Sequence, residues 1–381
     1  MDLYNLYGFK KQTMNSTIKT IYLLSLITLF TACNKEETDD TTYNIPASYT
    51  EFENVSYTGQ TERLSMMNEL TTYMKESRTA NISLSANKLK AMFANETDAA
   101  FAQAYEKNIK SKTFENVQTA FENLMDELAT ASNSTTEGSN GVSGVIVSTV
   151  DHEDQYLIGD DGLDHAQLIE KGLMGACFYY QATAVYFGDD KMNADNTIIN
   201  EGEGTDMEHH WDEAFGYFGV PTDFPTSTDG LSFWGNYANN RNAVLGCNTE
   251  MMDAFRKGRA AITNKDLPTR DEAITEARTT WEKIAVGSAL HYLNDGTTTE
   301  IFEDMAQRGH LVSEAIGFIY ALQFNPDKTI TNTQINELLE IIAGSPDFSE
   351  MNLYNTTIPK LQEAKDKLAD YYNLTDIKDE F

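Results

Sequence analysis

From residue 60 onward apolar residues recur at three- and four-residue spacing, interrupted by clusters of Gly, Asn, Asp and Pro. The spacing predicts helices over 61–76, 83–95, 97–110, 113–131, 164–187, 206–218, 247–263, 270–293, 298–323, 332–343 and 358–372. Several have readable starts, such as Thr97-Asp-Ala-Ala before an Ala/Phe/Tyr stripe and Asp164 before the 165–187 run. No β pattern of comparable length occurs. The run from Gly144 to Val150 is β-branched and follows turn residues, which allows one minor hairpin at most. The expected class is therefore all-α. The stretch from Ala129 to Gly144 is small, polar and Gly-rich, and reads as a long surface loop or a boundary near 132–144 between two helical lobes.

The beginning of the chain follows a different pattern. Lys10, Lys11 and Lys19 precede the apolar run Ile21 to Phe30, which is closed by Thr31, Ala32 and Cys33. A run of about ten residues matches the core of a secretory signal and falls well short of the roughly twenty that cross a bilayer. Leu29 to Cys33 resembles a lipobox, with Phe30 where Leu or Val is usual. Residues 1–32 then form a lipoprotein signal peptide, removed to leave a lipidated Cys33, and Met14 would serve equally well as the start. The acidic segment from Asn34 to Thr42 looks like the signal that carries some Bacteroidota lipoproteins to the cell surface. A flexible tether over 33–58 would have the same composition. The implied location is the outer membrane, with the lipid as anchor and surface exposure as one outcome. Residues 59–381 remain for the folded domain.

Charge narrows the partners. Asp and Glu number 59 against 28 Lys and Arg, a formal net charge of −31. Such acidity argues against nucleic-acid binding, which needs a basic footprint. It also argues against peripheral binding to anionic lipid, leaving the acyl chains as the membrane contact. A negative surface concentrates cations, which fits a metal-handling protein. After lipidation of Cys33 only Cys177 and Cys247 remain, either as one disulfide or, as their apolar and Gly-flanked surroundings favour, as buried thiols.

Of six histidines, two are adjacent in the most distinctive segment, Met207 to Gly219. On a helix His210 and Glu213 lie at i and i+3, and His209 and Glu213 at i and i+4, so either pair shares one face. Imidazole plus carboxylate suits iron, zinc or manganese, with further ligands needed from elsewhere and Asp212 one neighbour to supply them. The bland alternative is an acidic helix start with one histidine satisfied by Glu213. A second candidate pair of metal ligands at i and i+4, His310 and Glu314, lies on an otherwise apolar helix, where the alternative is a buried histidine hydrogen-bonded to Glu314. His165 beside Asp164 fits a capping arrangement or a ligand. His291 is expected to meet C-terminal carbonyls, and His152, among Asp151, Glu153 and Asp154, to lie in a surface loop. The segment 189–204 is rich in Asp, Asn and Gly but lacks the glycine and acid spacing of a calcium-binding helix-loop-helix.

His210, Glu213 and the following stretch to Gly219 resemble the signature of imelysin-like proteins, Gly-x-His-x-x-Glu before an apolar run and a Gly. The family His falls on His210 and its Glu on Glu213, while Glu208 stands where the family has Gly. Met207 to Pro221, Gly172 to Ala176 and Ser313 to Ile319 resemble more narrowly a group of Bacteroidota lipoproteins of about this length that look related to imelysins. The resemblance implies an all-helical, two-lobed bundle with the His/Glu site near the interface and a role in iron uptake. Peptidase activity is not carried over, because the chain has no His-Glu-x-x-His motif.

Nucleophile elbows and phosphate loops are likewise absent from the sequence. The aromatic clusters 177–180 and 233–237 suit core packing or a pocket for haem or a glycan. Three functions follow. One is a non-enzymatic metal-binding lipoprotein, iron favoured, working with an outer-membrane transporter. The second is a metal-dependent hydrolase. The third is a non-metal binding module for haem, glycan or a partner transporter.

Overall fold

The computed structural model describes residues 42–381, so the signal segment 1–32 and Cys33 lie outside the described residues. The helices are α1 Thr58–Lys75, α2 Ala86–Ala94, α3 Gln118–Ala131, α4 His165–Leu173, α5 Asp189–Met192, α6 Asp206–Phe218 and α7 Trp234–Leu245. They continue with α8 Cys247–Thr263, α9 Leu267–Gly296, α10 Thr299–Glu303, α11 Met305–Ala321, α12 Asn332–Ala343 and α13 Ile358–Tyr371. The chain is all-α apart from one antiparallel hairpin, β1 Gly144–Val147 with β2 Gln155–Ile158, in register from Gly144↔Ile158 to Val147↔Gln155.

The long helix α9 is the axis of the domain and packs chiefly on α8 and α11. Its contact faces are rich in small buried residues, Ala273, Ala277, Ala285, Gly287, Ser288 and Ala289, which lets neighbouring backbones approach. The hairpin lies against α11, burying Ile146, Tyr156 and Ile158 with Ala306. Among the described residues no helix is long and apolar enough to cross a membrane.

Four departures from the sequence reading have identifiable causes. The helix expected over 97–110 does not form; the segment holds only short 3-10 turns at Thr97–Ala99 and Lys110–Lys112. Asn95 and Ala100 are left-handed, and side chains from α1 claim the backbone instead. Glu69 accepts from Ala102 N, and Glu62 from Glu106 N and Lys107 N. The helix expected over 298–323 breaks at Asp304, whose carboxylate caps α11 through Ala306 N and also receives the Ser148 hydroxyl of the hairpin loop. Helix α7 went unread because its Asn-rich sequence carries little periodicity. Finally, the stretch read as a tether reaches the domain well before residue 58, since Tyr49 is fully buried and stacks on Phe215 at 4.1 Å.

Helix α4 runs on through two π-helical stretches, Met174–Tyr179 and Gln181–Tyr186. Such wider, under-wound turns shift side chains around the helix and are frequent at functional sites. Here the second one ends on Tyr186.

The candidate site on helix α6

Thr205 caps α6: its hydroxyl accepts from Glu208 N, and the Glu208 carboxylate accepts from Thr205 N. Gly219 ends the helix in the left-handed conformation. Met207, Trp211, Ala214, Phe215 and Phe218 form the buried stripe. Two polar rows flank it, and they have different surroundings.

The first row is Glu208 and Asp212. Both meet Arg259 of α8, with Nη1 2.5 Å from Glu208 Oε1 and Nε 3.1 Å from Asp212 Oδ1. Tyr49 donates its hydroxyl to Asp212 as well. Burial drives the Asp212 carboxyl up, to about 6, against the pull of Arg259. Asp212 therefore faces the core and does not join the histidines. Glu208, in the position where the resembling motif has Gly, is a capping and ion-pairing residue.

The second row is His209, His210 and Glu213. His210 Nδ1 lies 3.0 Å from Glu213 Oε2, and His209 Nε2 lies 4.0 Å from the same oxygen. The other oxygen of Glu213 accepts from Gln60 Nε2 of α1 and from the Tyr186 hydroxyl, each at 3.0 Å. Burial alone would raise the Glu213 carboxyl. Hydrogen bonds from His210, Gln60 and Tyr186 and the charge of His209 outweigh it and hold the group at about 2. Lys191 Nζ lies 3.4 Å from His210 Nε2, so with Nδ1 donating to Glu213 the remaining lone pair accepts from an ammonium. Gln60 and Tyr186 were not singled out in the sequence. A glutamine 1% exposed on the apolar side of α1 has no signal there beyond being a polar residue in an apolar row.

The second row opens on a cleft of about 300 Å³ lined by Gln60, Arg63, Lys107, Lys112, Tyr186, Glu203, His209 and Glu213. Lys112 Nζ is 3.2 Å from the Tyr186 hydroxyl. A larger cavity of about 730 Å³ shares Ser56 and Thr58 with it, but is lined by Tyr49, Phe52, Tyr57 and Tyr105 and offers no imidazole. The chemistry lies in the smaller one.

The other candidates are elsewhere. His310 Nδ1 meets Asp164 Oδ2 at 2.9 Å and its ring stacks on Tyr156 at 4.0 Å. Glu314 Oε1 is 3.5 Å from His310 Nε2 and 3.7 Å from Lys171 Nζ, so this pair belongs to a matched buried network with Glu170 and Lys171. Asp164 caps α4 through Ala166 N and Gln167 N, while His165 pairs with Asp161 at 3.0 Å. His291 meets Asp295 at 3.7 Å and the backbone of Phe381, not the carbonyls that end its own helix, because α9 continues to Gly296. His152 is exposed at the turn of the hairpin, with φ 61°. Cys177 and Cys247 are free and buried.

As a closed resident metal centre the second row does not fit. It offers three donors, both His210 nitrogens already have partners, and a lysine ammonium stands at one of them. Among the described residues no group of three or more His, Cys, Asp or Glu side chains is arranged to hold a metal ion.

These observations define an all-helical domain with a minor hairpin and one polar cleft on α6. The chain belongs to the family described as domain of unknown function DUF4856, whose model matches residues 46–375. No curated protein and no solved structure gives a significant match.

Proposed function

We propose that the protein is an exported lipoprotein, lipidated at Cys33 and held by its lipid in the outer membrane, that receives a metal ion as cargo in an uptake system. Iron is the first candidate. The observation that carries the reading is the His210–Glu213 contact of 3.0 Å, with His209 beside it, at the mouth of a polar cleft. The resemblance of this segment to imelysin-like proteins supports the same direction, as does the acidity of the chain, which draws cations to its surface. Binding rather than hydrolysis is favoured because the chain has no His-Glu-x-x-His motif to pair a second histidine ligand with a general base.

The test is elemental analysis of the purified chain after incubation with iron, zinc and manganese salts in citrate buffer and desalting, beside a folded His210→Ala/Glu213→Ala double variant. Near-stoichiometric retention of one metal by the parent, lost in the variant, is expected. No retention by either would remove the metal reading.

A further inference from the structure

Carboxylates outnumber cationic side chains about two to one in this chain, and about half of the described lysines and arginines have one within 4.0 Å. Around the α6 cleft four do not. Arg63, Lys107 and Lys112 line it, and Lys191 contacts His210, the neighbour of the lining residue His209. None of them has a carboxylate of the described residues within 4.0 Å, the distance that defines the ion pairs found elsewhere in the domain. Arg63 is 6% exposed, yet its guanidinium donates only to the Asn108 and Gly59 carbonyls. Lys112 contacts only the Tyr186 hydroxyl and ring.

A buried guanidinium and a half-buried ammonium without counter-charge are costly arrangements unless something supplies the charge. The two acids of the cleft supply little: Glu213 stays beyond 4.0 Å and its pull on Lys112 is outweighed by burial and Arg63. Glu213 is committed to His210, Gln60 and Tyr186, and Glu203 is exposed at the rim. Burial lowers the Lys112 ammonium from its ordinary value, and the neighbouring charges of Arg63 and Lys191 lower it further against the pull of Glu213. Positive charge is thus crowded, in a protein otherwise strongly negative.

We infer that the cleft lined by Arg63, Lys107 and Lys112 binds a small oxyanion, a polycarboxylate or phosphate, and that this oxyanion is the chelator on which the metal cargo arrives. The first part stands on the charge arrangement, and the second rests on the function proposed above. Charge-assisted hydrogen bonds from lysine and arginine to carboxylate or phosphate oxygens are the strong ones, and a cleft of this size admits a ligand of citrate dimensions. The ligand's remaining oxygens would complete the coordination that His209, His210 and Glu213 leave open.

The experiment is equilibrium dialysis of the purified full chain against labelled citrate, and separately against inorganic phosphate, at low ionic strength and with and without ferric ion. Lys112→Gln and Lys107→Gln are compared with Lys360→Gln on α13, far in sequence from the cleft residues. Equal melting temperatures establish that the variants are folded, and Lys107, at the cleft wall, provides the second variant should Lys112→Gln fail to fold. Metal-independent retention of either anion, weakened about tenfold by each cleft variant and unchanged by Lys360→Gln, is expected. Retention of neither anion, or equal weakening by Lys360→Gln, would overturn the inference. Iron retained alone by a chain that holds neither anion also overturns it while leaving the uptake function in place. Anion retention to which ferric ion adds nothing upholds the oxyanion site and removes the metal cargo.

Discussion

Replacing Arg259 by Met should cost about 3–5 kcal/mol of folding stability at pH 8, because it removes the one cation between two inward carboxylates. The Arg259 side chain is 2% exposed and that of Asp212 0%. Methionine keeps much of the volume, so the loss is the two ion pairs and the hydrogen bonds to Thr263 and the Glu53 carbonyl. At an effective dielectric of about 20, a pair of unit charges about 4 Å apart attracts by roughly 4 kcal/mol. The folded variant can escape part of the cost by protonating Asp212, whose carboxyl burial already pushes up to about 6 with Arg259 present. Without the guanidinium it rises further. An acid whose folded pKa exceeds its unfolded value loses stability as pH climbs between the two, and loses no more above the folded value. Parent and variant therefore share this loss up to pH 6, and only the variant continues to lose beyond it, by up to about 1.4 kcal/mol per pH unit. Urea unfolding followed by the fluorescence of Trp211, Trp234 and Trp281, all fully buried, measures the deficit at pH 5, 6.5 and 8. Adding Asp212→Asn should flatten the pH dependence. A deficit below about 1 kcal/mol at pH 8, or one that does not grow from pH 6 to pH 8, would refute the argument.

Two further outcomes are expected. Glycine to alanine inside a helix ordinarily stabilises by about 0.5–1 kcal/mol. At Gly258 of α8, however, a Cβ would fall 2.0 Å from Cη2 of Trp211, whose indole is fixed by donation to the Phe255 carbonyl at 3.0 Å. Gly258→Ala should instead destabilise by about 1–3 kcal/mol, and a melting temperature at or above the parent's would contradict the packing argument. Burial pushes the thiols of Cys177 and Cys247 up to about 12, so little thiolate forms near neutrality. In a Cys33→Ser chain a disulfide probe should find no reactive thiol natively and two after denaturation, and prompt native labelling would show that either cysteine is accessible.

The fold was legible where a single apolar stripe decided it. Helices α6, α8, α12 and α13 show that stripe and form close to the predicted bounds. The 97–110 segment failed because its short Ala/Phe/Tyr stripe competes with hydrogen bonds from Glu62 and Glu69 that lie more than thirty residues away, a contest no local window registers. At the site, periodicity placed His209, His210 and Glu213 on one face of a helix, which the structure also does. The surrounding cast was invisible: Gln60 comes from α1, Tyr186 from a π-helical turn, and Lys112 from a loop. Helix packing brings them together, and their spacing along the chain carries no trace of it.

The two rows of α6 are interleaved i, i+4 pairs, Glu208 with Asp212 and His209 with Glu213, set about 100° apart around the helix. A helix turned by one residue would carry both rows with it: one way Asp212 enters the cleft and Glu213 the core, the other way His209 and Glu213 face Arg259. Arg259 discriminates against such turns, because it meets both carboxylates of the first row in a place with 2% exposure, where a histidine and a glutamate could not replace them. This gives Glu208, the departure from the Gly-x-His-x-x-Glu pattern, a reason to be there: it fixes the rotation of α6 through the Thr205 cap and Arg259 together. The cleft chemistry then depends on a core ion pair on another flank of the helix. An Arg259→Met chain that remains folded should therefore show altered ligand retention at Glu213 although none of its cleft residues has changed, while a change confined to Lys107 should leave the unfolding free energy within about 0.5 kcal/mol of the parent.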